Sequence, residues 1–210
     1  MRARRLAALI LCASAIAGCG TKTTLLHTSS SSSGSSTSSQ SPAATTGTAA
    51  TTTTAPAGTV KSADGQFATV IPDGFTNELS RVQGGTINIQ YLAVGPAHDG
   101  FATNINVVHE PSHGQTSIDT ITGLEIAGIK RLEPQAHQFS QVQSLTVDGQ
   151  PARAIDYLSL PDKKRLLHQY QVFVVKNGTI YTITYSALPT SYRDNLASVK
   201  QVTDGWHWLS

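Results

Sequence analysis

Between residues 109 and 113 the chain reads His109-Glu110-Pro111-Ser112-His113, two imidazoles four residues apart with a carboxylate beside the first. On an α-helix that spacing sets both rings on one face, where they hold a zinc ion while the glutamate activates its bound water. Pro111 opposes the arrangement. Its ring clashes with the preceding turn, and it disfavours a helical Glu110 before it. The segment leaves a strand-like run and meets Gly114 ahead of the next helical pattern, so it is read as solvent-exposed loop. Chance metal binding by the two loop histidines, and an envelope metal-dependent hydrolase built on them, are the remote alternatives.

Other chemistry is thin. The serines are many, but no Gly-x-Ser-x-Gly elbow presents one as a nucleophile. Neither a phosphate-binding P-loop nor a dinucleotide Gly-x-Gly-x-x-Gly occurs. No catalytic residue, cofactor site or resident metal site is therefore assigned. Asp162-Lys163-Lys164-Arg165 makes a short basic loop that is expected to be solvated, although it has the charge to meet phosphate-rich wall polymer or an acidic partner. Trp206, Trp208 and Tyr185 have the character of a ligand groove, yet aromatics alternating along a strand are expected in the core.

The one residue with an assigned chemical fate is Cys19. Arg2, Arg4 and Arg5 form a basic start, and residues 6–17 form an apolar run of about a dozen, well short of the ~20 needed to span a bilayer. The run ends in Ile16-Ala17-Gly18-Cys19, which resembles the bacterial lipobox. Small residues there fit the peptidase, and only a cysteine supplies a thiolate for alkylation. The resemblance implies that Cys19 is diacylated and becomes the mature N-terminus. At ~0.8 kcal/mol per buried methylene, two acyl chains hold a protein firmly to a membrane. The expected address is the extracytoplasmic face of a bacterial membrane.

Both cysteines, Cys12 and Cys19, lie in this leader region, so residues 20–210 hold no thiol for a disulfide or a cysteine-based metal site. The chain carries 15 Lys+Arg against 13 Asp+Glu, but the three leader arginines make up the excess. The remainder is slightly acidic, and nucleic acid is not an expected partner.

From Gly20 to about Thr59 the chain is almost entirely Ser, Thr, Ala, Gly and Pro. Nothing there can be buried to offset the entropy of ordering, so a disordered tether is expected. Forty such residues have an r.m.s. reach of about 35 Å and an outer limit near ~130 Å. The organisation is thus leader 1–18, lipidated cysteine and linker 19–60, and one domain 61–210.

The domain reads as mixed α and β. Residues 66–71 alternate loosely and stop at Pro72-Asp73-Gly74, a turn. Gly84-Gly85 separates residues 79–82 from a strand at 86–92, with Ile87, Ile89 and Tyr91 on one face. Residues 101–108 alternate Ile105 and Val107 with Asn104 and Asn106. From Ser117 to Leu132 the period lengthens, and Ile118, Ile121, Leu124, Ile129 and Leu132 define the apolar face of a helix capped by Thr116 or Ser117. Asp148-Gly149 and Asn177-Gly178 each sit between alternating runs and suit type I′ hairpins. A second helix is expected at 191–202 and a short strand at Trp206-His207-Trp208. The fold class is α+β, an antiparallel sheet flanked by helices.

This order resembles the PsbP-like (Mog/PsbP) fold family, in particular the actinobacterial LpqN-type lipoproteins. The resemblance rests on Phe67 with Pro72-Asp73-Gly74-Phe75, on Asn104-Ile105-Asn106-Val107, and on Val147-Asp148-Gly149-Gln150-Pro151-Ala152. It extends through Tyr181-Thr182-Ile183-Thr184 to Trp206 and Trp208. It implies a non-enzymatic domain that binds or scaffolds a partner, whether protein, wall polymer or lipid. A carrier of a small apolar ligand is the alternative.

Overall fold

A computed structural model describes residues 55–85, 87–161 and 164–209. The leader, Ile16 to Cys19, most of the tether, and Asp162 and Lys163 of the basic loop lie outside the described residues.

Three tight turns generate most of the sheet. Strands β1 (Val60–Lys61), β2 (Phe67–Thr69) and β3 (Thr76–Asn77) come first, followed by a 3-10 turn at Leu79–Arg81. Strands β4 (Ile89–His98) and β5 (Phe101–Pro111) are joined through Asp99-Gly100. After helix α1 (Ile118–Leu132), β6 (Gln143–Val147) and β7 (Gln150–Ser159) join through Asp148-Gly149. Then β8 (Leu167–Lys176) and β9 (Thr179–Ala187) join through Asn177-Gly178. All six turn residues have positive φ, between 41° and 77°, as a type I′ turn requires. Helix α2 (Ala197–Asp204) and strand β10 (His207–Trp208) complete the described chain.

The large sheet has seven strands in the order β3-β4-β5-β9-β8-β7-β6, antiparallel at every pairing, and β1-β2-β10 form a small second sheet. Alternation gives the large sheet two buried faces. Ile105, Val107, Val172, Val174, Tyr181, Ile183 and Tyr185 point into the main core with Phe67, Trp206 and Trp208. There Phe67 and Trp206 stack with centroids 3.8 Å apart. Helix α1 covers the opposite face over β7 and β8, where Ile129 packs with Ile155, Tyr157 and Phe173.

The Pro72 turn, both expected hairpins and the terminal strand form where the sequence places them. Several details differ. Residues Leu79–Arg81 make a 3-10 turn, and Ile87 precedes the strand, which begins at Ile89 with a register shift before Tyr91. Asn104 and Asn106 are buried, because the face they occupy is also covered. Helix α1 starts as expected, with the Ser117 hydroxyl accepting from the Thr120 amide. Its buried residues are nevertheless Ile121, Thr122, Glu125, Gly128 and Ile129, while Leu124 and Leu132 are about half exposed. The helix is rolled so that a carboxylate faces inward. The second helix begins later than expected, after a run of turns from Pro189 to Asn195.

Candidate functional site

The His-Glu-x-x-His segment is not the exposed loop that the sequence suggested. His109, Glu110 and Pro111 are the last residues of β5, and only His113 lies in the following turn, at a φ of 51°. Strand alternation then sends the neighbours to opposite faces. His109 Nδ1 lies 2.9 Å from Asp64 Oδ2, its Nε2 lies 3.1 Å from Asn88 Nδ2, and its ring meets Tyr181 edge-on. Glu110 turns the other way, toward Glu125 of α1. The two imidazoles share no helical face, so the protease arrangement is not formed. No group of three or more His, Cys, Asp or Glu side chains is placed to hold a metal ion among the described residues.

The expected core aromatics are core. Trp206, Trp208 and Tyr185 are each buried in the main cluster. In the basic loop, Arg165 donates to the Gly100 carbonyl at 2.9 Å and lies over the Phe101 ring. That contact joins two turns at one end of the sheet.

A larger concave feature lies elsewhere among the described residues, between the β6–β8 edge of the sheet and α2. It is an open groove of about 750 Å³. Leu145, Tyr170 and Val172 make its floor, and Leu196, Val199 and Thr203 its α2 wall. Lys200 stands on that wall and Arg193 in the turns that precede α2, both exposed. Lys200 pairs with Asp204 one helical turn on.

At the sheet side of the groove His168 and Asp156 form a pair, Nε2 to Oδ1 at 3.1 Å. The His168 ring lies flat on Tyr192, centroids 3.5 Å apart and 9° from parallel. Tyr192 is in turn anchored by its carbonyl, which accepts from the Tyr185 hydroxyl at 2.8 Å. Burial and the nearby Asp156 push the Tyr170 and Tyr192 hydroxyls above the usual phenol range, so both stay neutral donors. The groove therefore offers an apolar floor, two aromatic hydroxyl carriers, an imidazole oriented by Asp156, and a rim with Arg193 and the Lys200–Asp204 pair. Such a surface can hold an amphiphilic group or an extended peptide.

Sequence reasoning missed this site. Asp156 and His168 are diagonal neighbours on adjacent strands, since Leu158 pairs with His168 and Asp156 with Tyr170. The Asn177-Gly178 and Asp148-Gly149 turns fix the β8–β9 and β6–β7 registers, but the β7–β8 pairing that joins the two residues carries no local turn signal.

An antiparallel seven-stranded sheet, a helix on one face, and a small sheet plus helix on the other define a PsbP-like/Mog fold. No family model and no curated protein matches the sequence, so the likeness is one of three-dimensional structure. The domain superimposes on LpqN of Mycobacterium tuberculosis, described as involved in cell envelope biogenesis, with a TM-score of 0.51 at 15% identity over 69% of this chain and 83% of LpqN. CyanoP, the cyanobacterial PsbP of Synechocystis, gives 0.52 at 13% identity over 78% of this chain and 98% of its own. The Ran-binding protein Mog1p of Saccharomyces cerevisiae gives 0.51 at 12% identity over 72% and 95%.

Proposed function

We propose that the chain is a non-enzymatic lipoprotein of a bacterial envelope, whose domain captures a partner in the groove between β6–β8 and α2. Its leader (1–18) is removed, Cys19 carries the lipid anchor, and residues 19–60 tether the domain (61–210) at the extracytoplasmic membrane face. The groove is the observation that carries the reading. It combines an apolar floor with an exposed charged rim on a fold that LpqN, described as involved in cell envelope biogenesis, also has. No helix among the described residues is long and apolar enough to cross a membrane.

The test is photo-crosslinking in cells from position 197, on the groove wall, with position 132 on the opposite face as control. Adducts from position 197 alone, lost when Leu196→Asp puts a charge in the groove, are the expected result. Equal labelling from both positions contradicts it.

A second reading, carriage of a small apolar ligand, is favoured by the groove's size, which falls within the ~300–1,000 Å³ of small-molecule sites. Native mass spectrometry of the purified protein separates the two readings. A carrier retains a bound small molecule that Leu196→Asp releases.

A further inference from the structure

The large sheet ends in two edges of different kinds. At one, β3 is only two residues long, and neighbouring chain closes on β4. The Glu78 amide donates to the Leu92 carbonyl at 3.0 Å and the Ala63 amide to the Gln90 carbonyl at 2.9 Å. At the other, β6 pairs with β7 on one side and with no strand on the other among the described residues. The direction of its backbone groups follows from the turn. Val147 and Gln150 flank Asp148-Gly149, and a two-residue hairpin turn is closed by a pair that exchanges both backbone hydrogen bonds. Alternation makes Leu145 with Ala152, and Gln143 with Ala154, the next bonded pairs. The N–H and C=O of Ser144 and Thr146 therefore point outward. Both residues are exposed, and neither makes another backbone hydrogen bond among the described residues. Pro151, opposite Thr146, suits this phase because it has no N–H to give.

We propose that β6 pairs antiparallel with β6 of a second copy of this chain, about a two-fold axis through Leu145, so that the two sheets join edge to edge. The outward groups set the register. Ser144 comes opposite Thr146 of the second copy, and Thr146 opposite its Ser144, which uses every outward N–H and C=O of the two residues. Leu145 meets Leu145 of the second copy in the close, non-bonded pair between them. Self-pairing sets like residues near one another, and like charges there would repel. Exposed edges are usually guarded by a charge, a proline or a bulge. From Gln138 to Val147 there is no charged residue and no proline, and the β6–β7 register runs without a shift. Val142, 46% exposed, comes opposite Asp148 of the second copy and gains cover. A foreign strand finds no charge here to read, whereas a second copy matches β6 residue for residue.

The contact is isologous, and its axis stands normal to the sheet. The two grooves then open on the same side, with Leu145 of both copies between them. Pairing through β6 uses backbone groups outside the groove and does not require the groove to be occupied.

The experiment is copper-phenanthroline oxidation of membranes from cells that make the full-length protein, read on a non-reducing gel. Cys12 and Cys19 are its only native thiols, and the wild type under the same oxidant accounts for them. In Leu145→Cys the two opposed Cα atoms lie about 4.5 Å apart, within reach of a disulfide. A dimer band at least about tenfold above wild type is expected. In Thr146→Cys the two thiols sit diagonally, with Cα atoms roughly 8 Å apart, too far to bridge, and the band should stay at the wild-type level. Adding Thr146→Pro to Leu145→Cys removes an outward N–H that the β6–β7 ladder does not use, so the fold should be kept and the dimer lost. No dimer from Leu145→Cys, equal dimer from both cysteine positions, or a dimer that survives Thr146→Pro would overturn the proposal. Adducts from position 197 in a protein that gives no Leu145→Cys dimer reject this pairing and support the groove reading. A dimer without those adducts does the reverse.

Discussion

His168 and Tyr192 lie ring on ring, 3.5 Å between centroids, and this stack joins the groove's sheet wall to the segment that leads into α2. Tyr192 is buried and also touches Tyr185, whose hydroxyl bonds the Tyr192 carbonyl. Tyr192→Ala should therefore cost about 3–5 kcal/mol, the range for removing a buried aromatic. Tyr185→Phe should cost only about 1 kcal/mol, one neutral hydrogen bond. Urea unfolding followed by tryptophan fluorescence measures both. The midpoint should fall much further for the first.

A second prediction concerns pH. Glu125 is raised from 4.5 to about 7 by burial and Glu110, and Glu110 and Glu133 are also raised, each chiefly by burial. A carboxyl with a raised folded value binds protons more tightly in the folded state. Stability should fall as pH rises from about 4.5 through about 7, and level off above that. The Glu125 share is about 3 kcal/mol. Denaturant unfolding from pH 4.5 to 8.5 should show this slope, and Glu125→Gln should flatten most of it.

Gly95 supports a third. A Cβ placed there would stand 2.7 Å from the ring of Phe75. Gly95→Ala should destabilise by about 1–3 kcal/mol through overpacking. In the double variant with Phe75→Leu the two costs should be less than additive. A double-mutant cycle in urea tests the contact, and strict additivity would sink it.

The Asp-Gly and Asn-Gly turns were legible because their chemistry is local: positive φ at two successive residues is needed, and those residues tolerate it. The Asp99-Gly100 turn carries the same signal, but β4 runs on to His98, past residue 92 where the alternation ends, and through Gly95-Pro96. Pro96 is accommodated because the β4–β5 register shifts between Val94 and Ala97, where no ladder amide is required of it. The roll of α1 was not legible. Periodicity counts Leu124 and Leu132 as inward, whereas the helix packs through Ile121, Gly128 and Ile129, which carries Glu125 inward with them. The candidate groove depends on how β7, β8 and the turns before α2 meet, a relation between residues far apart that no short motif records.

A fourth prediction concerns the groove rim. Arg193→Glu reverses one rim cation without touching the core, since its side chain is exposed. Unfolding should move by less than about 0.5 kcal/mol. The crosslinks from position 197 should weaken several-fold. A large loss of stability with crosslinking unchanged would place Arg193 in the scaffold instead of the binding surface.

The reading stands on the domain being tethered by lipid at Cys19. The most direct measurement is mass spectrometry of the N-terminal peptide from protein purified from its native membrane, beside a Cys19→Ser variant. A mature terminus at Cys19 carrying acyl chains, with the variant unprocessed and unlipidated, is the result predicted. An unmodified N-terminal peptide, or an intact leader in the native protein, would contradict it.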